Sequence, residues 1–122
     1  MLEEIDKQLS DLYCTRDSRG GISIGTWYTI EGDPVNFLFS QEDDKYCIIS
    51  TNDNFSEWMA WITDGWREKA PVIGQLAGFY GVQWDNEKGR LFIRFRRNEM
   101  TLAQGIMRLE QAVFTVGTTE FL

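Results

Sequence analysis

Histidine is absent from this chain of 122 residues. Its absence excludes Ser/His/Asp and Cys/His nucleophiles, and every zinc site that needs an imidazole ligand. Any chemistry would have to rest on carboxylates, on lysine or on a borrowed cofactor. The composition therefore favours a non-enzymatic protein, for which we expect no catalytic residue, no metal ligand and no cofactor.

Cysteine and long apolar runs are also scarce. Cys14 and Cys47 are far apart in sequence, and we interpret both as buried structural thiols. Apolar runs such as those at 47–49 and 112–114 are much shorter than the roughly 20 residues of a membrane span. The acidic start MLEEIDKQ lacks the features of a signal peptide. We expect a cytoplasmic protein that does not enter a membrane.

Apolar residues are plentiful even though long runs are not. The chain is 43% hydrophobic and 14% aromatic, which is enough for one compact core in a chain of this length. No internal repeat, linker or low-complexity segment divides it. We predict a single domain over residues 1–122.

The net charge of −7 is unevenly distributed. Residues 1–68 hold 14 of the 19 acidic residues and five of the 12 basic ones, which gives −9, whereas residues 69–122 hold five acidic and seven basic residues, which gives +2. An acidic protein attracts nucleic acid poorly, because phosphate neutralisation supplies most of that affinity. The charge instead suits a basic protein partner, including a nucleic-acid-binding protein.

The first half of the chain predicts a helix and three strands. Apolar residues at positions 2, 5, 9 and 12 are typical of an amphipathic helix over residues 2–13. The polar stretch TRDSRGG at 15–21 is expected to end this helix. Strand-like runs follow at 22–30, 34–40 and 45–51, and the short turns EGDP and QEDD between them favour an antiparallel meander.

Two helices are predicted in the middle of the chain. Asn54 and Glu57 have the spacing of a capping box, which starts a helix near Phe55. Pro71 suits the first turn of a second helix, and Gly81 suits the position after its end.

A hairpin and a closing helix complete the prediction. VQW at 82–84 and RLFIRFRR at 90–97 flank DNEKG, whose glycine suits a hairpin loop. Asn98 is the predicted cap of the last helix, whose apolar stripe is Leu102, Ile106, Leu109, Val113 and Val116. The fold class is therefore α+β: a mainly antiparallel sheet, made of a three-strand meander plus a hairpin, is covered by N-terminal, central and C-terminal helices.

This order of elements resembles domain-of-unknown-function family 1828, a small domain found in bacteria and prophages. The resemblance includes FYGVQWDNEKGRLFI in the middle of the chain and LAQGIMRLEQAVFTV at its end. The resemblance covers nearly the whole chain and implies a phage or mobile-element context, with no activity to carry over. Many relatives have an Asp-Asp-Gly turn after the third strand, where this sequence has TNDN at 51–54. A function of that turn is therefore not carried over either.

Three of the five tryptophans, Trp58, Trp61 and Trp66, lie within nine residues. Trp58 and Trp61 are three positions apart and so share a helix face with Phe55 and Ile62. Burial in the core is therefore the preferred interpretation. The alternative is exposure of Trp61 or Trp66 at a partner surface, because tryptophan is favoured in interface hot spots.

Two stretches are candidate partner-binding sites. The turn at 42–44 presents three acidic side chains, Glu42, Asp43 and Asp44, to a basic partner. Strand alternation at 90–97 points one set of side chains inward and the other outward, and the outward set includes Phe92, Arg94 and Arg96. That outward stripe could stack bases and pair phosphates in a small nucleic-acid-binding module. It could equally be a solvated face, or it could pair with the acidic half of the same or a second subunit.

A divalent-metal-dependent nuclease, or a degenerate relative of one, is the alternative from another class. Asp33, Asp43 and Lys45 have a spacing that some restriction enzymes use to hold magnesium and to steady a water molecule. Asp43 and Lys45 fall in a predicted turn, however, where acidic residues are common for local reasons.

The preferred hypothesis is an acidic interaction protein that binds a basic protein partner and could inhibit it by mimicking nucleic acid. A homodimer, formed through the closing helix or an edge strand, is a further prediction, because the helix stripe has the spacing of a seam between helices.

Overall fold

The computed structural model describes residues 14–18, 21–30, 33–63 and 65–118. They form six strands, three α-helices and a short 3-10 helix. In chain order these are β1 (Cys14–Ser18), β2 (Gly21–Ile30), β3 (Asp33–Gln41), β4 (Tyr46–Thr51), α1 (Asp53–Thr63), the 3-10 helix (Trp66–Lys69), α2 (Ala70–Gly78), β5 (Gln83–Asp85), β6 (Arg90–Arg96) and α3 (Leu102–Thr118).

The strands make one antiparallel sheet in the order β1-β2-β3-β4-β6-β5. The predicted α+β class is confirmed, as are the meander β2-β3-β4 and the hairpin β5-β6. β6 pairs with β4, with Ile93 opposite Ile49, and so joins the two units into one sheet. The predicted helix over residues 2–13 lies outside the described residues.

The structure has one strand that the sequence did not predict, because Cys14–Ser18, in the polar stretch expected to end the first helix, is a strand. It pairs with β2, with Cys14 opposite Gly25 and Ser18 opposite Gly21. An edge strand needs only backbone groups to pair with one neighbour, so the polar sequence CTRDS can join the sheet without an apolar pattern.

One core lies between the sheet and the helices. Alternate residues of the central strands are buried, among them Phe37, Phe39, Cys47, Ile49, Leu91, Ile93 and Phe95. The predicted stripe of α3 is buried throughout. α3 approaches the sheet closely at Gly105, where an added Cβ would lie 3.0 Å from Ile49 Cδ1. Cys47 is buried as predicted, and the side chain of Cys14 is not described.

α1 begins earlier than predicted, and its cap is a different asparagine. The helix starts at Asp53, and the side-chain oxygen of Asn52 accepts a hydrogen bond from the backbone N–H of Phe55 at 3.3 Å. Asn52 is therefore the cap residue, and Asn54 is already inside the helix. Both asparagines are followed by helix-compatible residues, so only the end of β4 at Thr51 decides between them.

α3 begins later than predicted, because the chain after β6 continues to pair with the turn before β4. The backbone N–H of Arg97 donates to the carbonyl of Lys45 at 3.0 Å. The backbone N–H of Glu99 donates to the carbonyl of Arg96, also at 3.0 Å. The helix starts only after Thr101. Thr101 Oγ1 accepts from the N–H of Gln104 at 3.2 Å, and Gln104 Oε1 accepts from the N–H of Thr101 at 2.9 Å. This is a capping box, and the predicted cap at Asn98 is wrong.

The predictions for Pro71, Gly81 and Gly89 are confirmed. Of the predicted turn EGDP, Asp33 and Pro34 already belong to β3, and residues 31–32 lie outside the described residues. α2 has Pro71 in its first turn, and Gly81 follows it with a φ of 72°. Gly89 closes the β5–β6 hairpin with a φ of 71°, in the left-handed region that glycine enters at little cost. In the described part of the chain, no helix is both long enough and apolar enough to cross a bilayer.

Candidate functional site

The three tryptophans of the middle segment do not form one buried cluster. Trp58 and Trp66 are half-buried and pack against the core, whereas 73% of Trp61 is exposed. Met59 is fully buried in α1, and Trp61 follows two positions later, which is a rotation of about 200° around a helix. The preferred prediction of core burial is therefore wrong for Trp61, and the alternative of exposure describes it.

The exposed face of α1 carries an acidic stripe that ends in this indole. Asp53, Glu57 and Trp61 are spaced four residues apart and are all exposed, so they lie one above another on the helix surface. Asp53 forms an ion pair with Arg90 of β6, and 78% of its side chain is exposed. The stripe combines negative charge with a large apolar ring that is mostly exposed.

Trp66 and Trp58 pack within the fold instead. The Trp66 indole N–H donates to the Asn86 carbonyl at 2.7 Å, and its ring meets the edge of Trp84 with centroids 6.2 Å apart. Trp58 Nε1 is buried and has no hydrogen-bond partner within the described ranges. Both rings are therefore partly exposed side chains that pack against the core.

One carboxylate of the acidic turn at 42–44 is hydrogen-bonded to the backbone of the same turn. Asp43 Oδ1 accepts hydrogen bonds from the N–H groups of Lys45, at 2.8 Å, and Tyr46, at 2.9 Å. These two bonds lower the pKa of Asp43 from its ordinary value because they favour the charged carboxylate. Asp43 therefore shapes the β3–β4 turn, and Asp44 is exposed beside it.

The arginines of β6 gather around the ring of Tyr46. Arg94 Cζ lies 3.7 Å from the ring centroid and Arg96 Cζ lies 5.3 Å from it. Arg96 Nε also donates to the Tyr46 hydroxyl at 3.0 Å, and Arg94 Nε donates to Glu42 at 2.5 Å. Glu99 Oε1 lies 3.8 Å from Arg96 Nε. The predicted acidic turn and the predicted arginine stripe are thus two halves of one charged cluster.

Both guanidinium groups are charged at any physiological pH, and a neighbour of each favours the charged form further. The hydrogen bond to Glu42 raises the pKa of Arg94, and the hydrogen bond to the Tyr46 hydroxyl raises the pKa of Arg96. Because the cluster contains both signs of charge, it presents neither the acidic surface nor the basic stripe that the sequence alone predicts.

The strand alternation predicted for β6 is confirmed. Leu91, Ile93 and Phe95 are buried, and Arg94 and Arg96 are exposed on the other face. Phe92 shares that outer face but is half-buried, opposite Ser50 of β4 and Gln83 of β5. The arginines already occupy the ring of Tyr46, which leaves little aromatic surface for stacking bases.

The residues of the nuclease hypothesis are not brought together. Asp33 begins β3, and Asp43 lies two residues beyond its end. β3, which begins at Asp33 and has nine residues, spans about 27 Å at the usual rise of a strand, and Asp43 lies beyond its far end. Within the described residues, no group of three or more cysteine, aspartate and glutamate side chains could hold a metal ion.

Two features of the sequence bear on the cap of α3 and on the position of Trp61. Thr101 and Gln104 have the spacing of a capping box directly before an apolar stripe. A helical projection of residues 53–63 places Trp61 on the side opposite Phe55 and Met59, although only the position of the sheet decides which of the two sides is buried. No sequence signal indicated the contact of Tyr46 with Arg94, because that contact depends on which strand β6 joins.

Comparison of the chain with models of known protein families finds no match, and neither does comparison with curated proteins or with solved structures. The resemblance described above stays a prediction from the sequence pattern.

Proposed function

We propose that this chain is a non-enzymatic interaction module that binds a basic surface of a protein partner through the exposed face of α1. Asp53 and Glu57 supply the charge, and Trp61 supplies the apolar anchor. The exposure of 73% of the Trp61 side chain is the observation that carries the proposal.

An exposed tryptophan is costly for a protein that has no use for it. Burying such a side chain contributes roughly 1.5–3 kcal/mol or more, and tryptophan is among the residues most enriched in interface hot spots. α1 has a complete buried face without Trp61, because Phe55 and Met59 are at most 1% exposed. The indole is therefore not needed for the core, and contact with a partner gives it a role.

The charges on α1 indicate the chemistry of the partner. Two exposed carboxylates stand on the same helix face as the indole, and α1 belongs to the acidic half of the sequence, residues 1–68, whose net charge is −9. A basic surface would be attracted over long range and docked by the ring. The turn at 42–44 is a weaker candidate for this contact because it has no exposed apolar ring to serve as an anchor, whereas α1 has Trp61. Ion pairing does not separate the two surfaces, since Glu42 is paired with Arg94 and Asp53 is paired with Arg90, so Glu57 is the main charge of the α1 face.

A nucleic-acid-binding protein is the class of partner that this surface suits best, because its cleft is built to neutralise phosphates. The carboxylates of Asp53 and Glu57 would occupy the position of backbone phosphates there. Binding of the chain and binding of nucleic acid would then exclude each other.

The test is affinity capture of basic proteins from a cell extract on the immobilised chain. We expect the wild-type chain to retain a defined basic protein that rising salt releases, and we expect Trp61→Ala and Glu57→Lys each to lose it. Phe79→Ala is the matched control, because Phe79 is 79% exposed and lies outside α1. Added DNA should displace the chain from a nucleic-acid-binding partner.

Equal capture by the wild type and by both α1 variants would contradict the proposal. So would a captured protein whose retention is indifferent to salt, because attraction between exposed charges is screened by salt.

A further inference from the structure

A pocket of about 330 Å³ opens where the β3–β4 turn meets the end of β6 and the turn after it. Its lining residues are Asp44, Lys45, Arg96, Arg97 and Asn98. Three of these side chains are positively charged and one is negatively charged, so the lining has a net charge of +2. The chain as a whole has a net charge of −7, and the pocket is therefore a local reversal of sign.

Backbone hydrogen bonds hold the two walls of the pocket together. The N–H of Arg97 donates to the carbonyl of Lys45 at 3.0 Å, and Arg96 is paired with Tyr46 in the ladder between β6 and β4. Asp43 Oδ1 accepts from the N–H of Lys45 and so fixes the turn from within. Because the backbone of three lining residues is held in this way, a ligand has little of the site to organise.

Arg96 connects the pocket with the charged cluster around Tyr46. Its Nε donates to the Tyr46 hydroxyl at 3.0 Å, and Glu99 Oε1 lies 3.8 Å from the same Nε. Both contacts use Nε, whereas a guanidinium also has N–H groups on its terminal nitrogens. Half of the Arg96 side chain is exposed, so Arg96 can keep its place beside Tyr46 and still donate to a ligand.

We propose that this pocket binds a phosphate dianion, either inorganic phosphate or the phosphate group of a small ester. Guanidinium groups match the geometry of phosphate oxygens, and a lysine ammonium binds phosphate as a point charge. The Asn98 carboxamide adds N–H donors that suit the same oxygens. A phosphate monoester carries about −2 near neutral pH, which balances the charge of the lining. The volume lies at the small end of ligand sites, about 300–1,000 Å³, and suits a compact ligand.

This pocket is separate from the face of α1. Asp53 of that face is paired with Arg90 at the start of β6, whereas Arg96 is the last residue of the same strand. The two positions are about 20 Å apart at the usual rise of a strand. Binding at the pocket and binding at Trp61 can therefore be measured and abolished one at a time.

An NMR titration of the isotope-labelled chain, at constant ionic strength, tests the site. We expect glycerophosphate or inorganic phosphate to shift the backbone amide signals of residues 44–45 and 97–98 in a saturable way and to leave that of Trp61 in place. The tighter of the two ligands identifies the source of the phosphate. Lys45→Gln should weaken binding by about fivefold, the effect of one unit charge close to the ligand in a water-like surrounding. Lys88→Gln is the matched control, because Lys88 is exposed in the hairpin at the other end of β6, and it should bind like the wild type.

Asp44→Asn should have the opposite effect and tighten binding by about fivefold, because the pocket loses its carboxylate. Glu87→Gln removes the same charge from the hairpin and should change nothing. Opposite effects at Asp44 and Lys45 distinguish a ligand site from damage to the turn, which would weaken binding in both variants. Three results would each overturn the proposal: shifts that do not saturate, equal weakening by Lys45→Gln and Lys88→Gln, or acetate binding as tightly as phosphate.

Discussion

The indole of Trp66 lies directly over the backbone of Gly89. A Cβ atom added to Gly89 would come within 2.6 Å of two ring atoms of Trp66, and the φ of Gly89 is 71°. The 3-10 helix is thus held to the β5–β6 hairpin at a point where no side chain fits. The Trp66 indole N–H, which donates to Asn86 in the same hairpin, fixes the ring there.

Gly89→Ala should destabilise the protein by about 2–4 kcal/mol, because the added methyl group meets the ring and the backbone conformation is strained for alanine. Urea unfolding at equilibrium measures the change. Gly74→Ala is the matched control: Gly74 lies inside α2 with nothing within 4 Å of an added Cβ, so the same substitution should stabilise by about 0.5–1 kcal/mol. Equal effects at the two glycines would contradict the contact between Trp66 and Gly89.

Thr101→Ala should cost about 1 kcal/mol, because the capping hydroxyl of α3 is lost. Asn98→Ala should change stability by less than about 0.5 kcal/mol, since Asn98 precedes the helix. Thermal unfolding of the two variants distinguishes the observed cap from the one that the sequence suggested. A larger loss at Asn98 than at Thr101 would place the start of α3 elsewhere.

The start of α1 offers a similar comparison between two asparagines. Asn52→Ala removes the side-chain oxygen that accepts from Phe55 and should cost about 1 kcal/mol. Asn54→Ala replaces an exposed residue within the first turn and should be neutral or slightly stabilising, because alanine is the better helix former. Denaturant midpoints of the two variants give the comparison, and the reverse order of stability would make Asn54 the cap.

Asp43 should make stability depend on pH in the acid range. The pKa of its carboxyl is lowered in the folded protein by two backbone hydrogen bonds, from an ordinary value of 3.8. The contribution of the charged carboxylate is therefore fully present above about pH 3.8, and it is lost as the pH falls through the lower native value. Wild type should exceed Asp43→Asn in unfolding free energy near pH 6, and the difference should shrink below about pH 3.8. A difference that stays constant on acidification would count against these bonds.

Quenching of tryptophan emission by acrylamide should depend mainly on Trp61 among the three indoles of the middle segment. Trp61→Phe should therefore reduce the quenching constant of the native protein more than Trp58→Phe does. The reason is geometric, since Trp61 is 73% exposed and Trp58 packs against the core. The opposite order would show that Trp61 is buried, and it would remove the observation on which the proposed function rests.

The sheet and most turns could be predicted because their signals are local. Alternation in residues 90–97 identifies the inner and outer faces of β6, and Gly89 marks its hairpin. The helix starts were less predictable, because Asn52 and Asn54, or Asn98 and Thr101, are each plausible caps. What decides between them is where the preceding strand stops pairing, and the pairing partner lies far away in the chain: Arg97 of the segment after β6 bonds to Lys45.

The sequence by itself determined the α+β class, the antiparallel strands and the buried stripe of α3, because side-chain periods of two and of about 3.6 residues need no knowledge of distant partners. Only the tertiary structure decided that Trp61 faces outward and that Glu42 meets Arg94, 52 positions later. Which arc of a helix is buried depends on where the sheet lies, and which charges neutralise each other depends on which strands pair. Neither is encoded within a short stretch of chain.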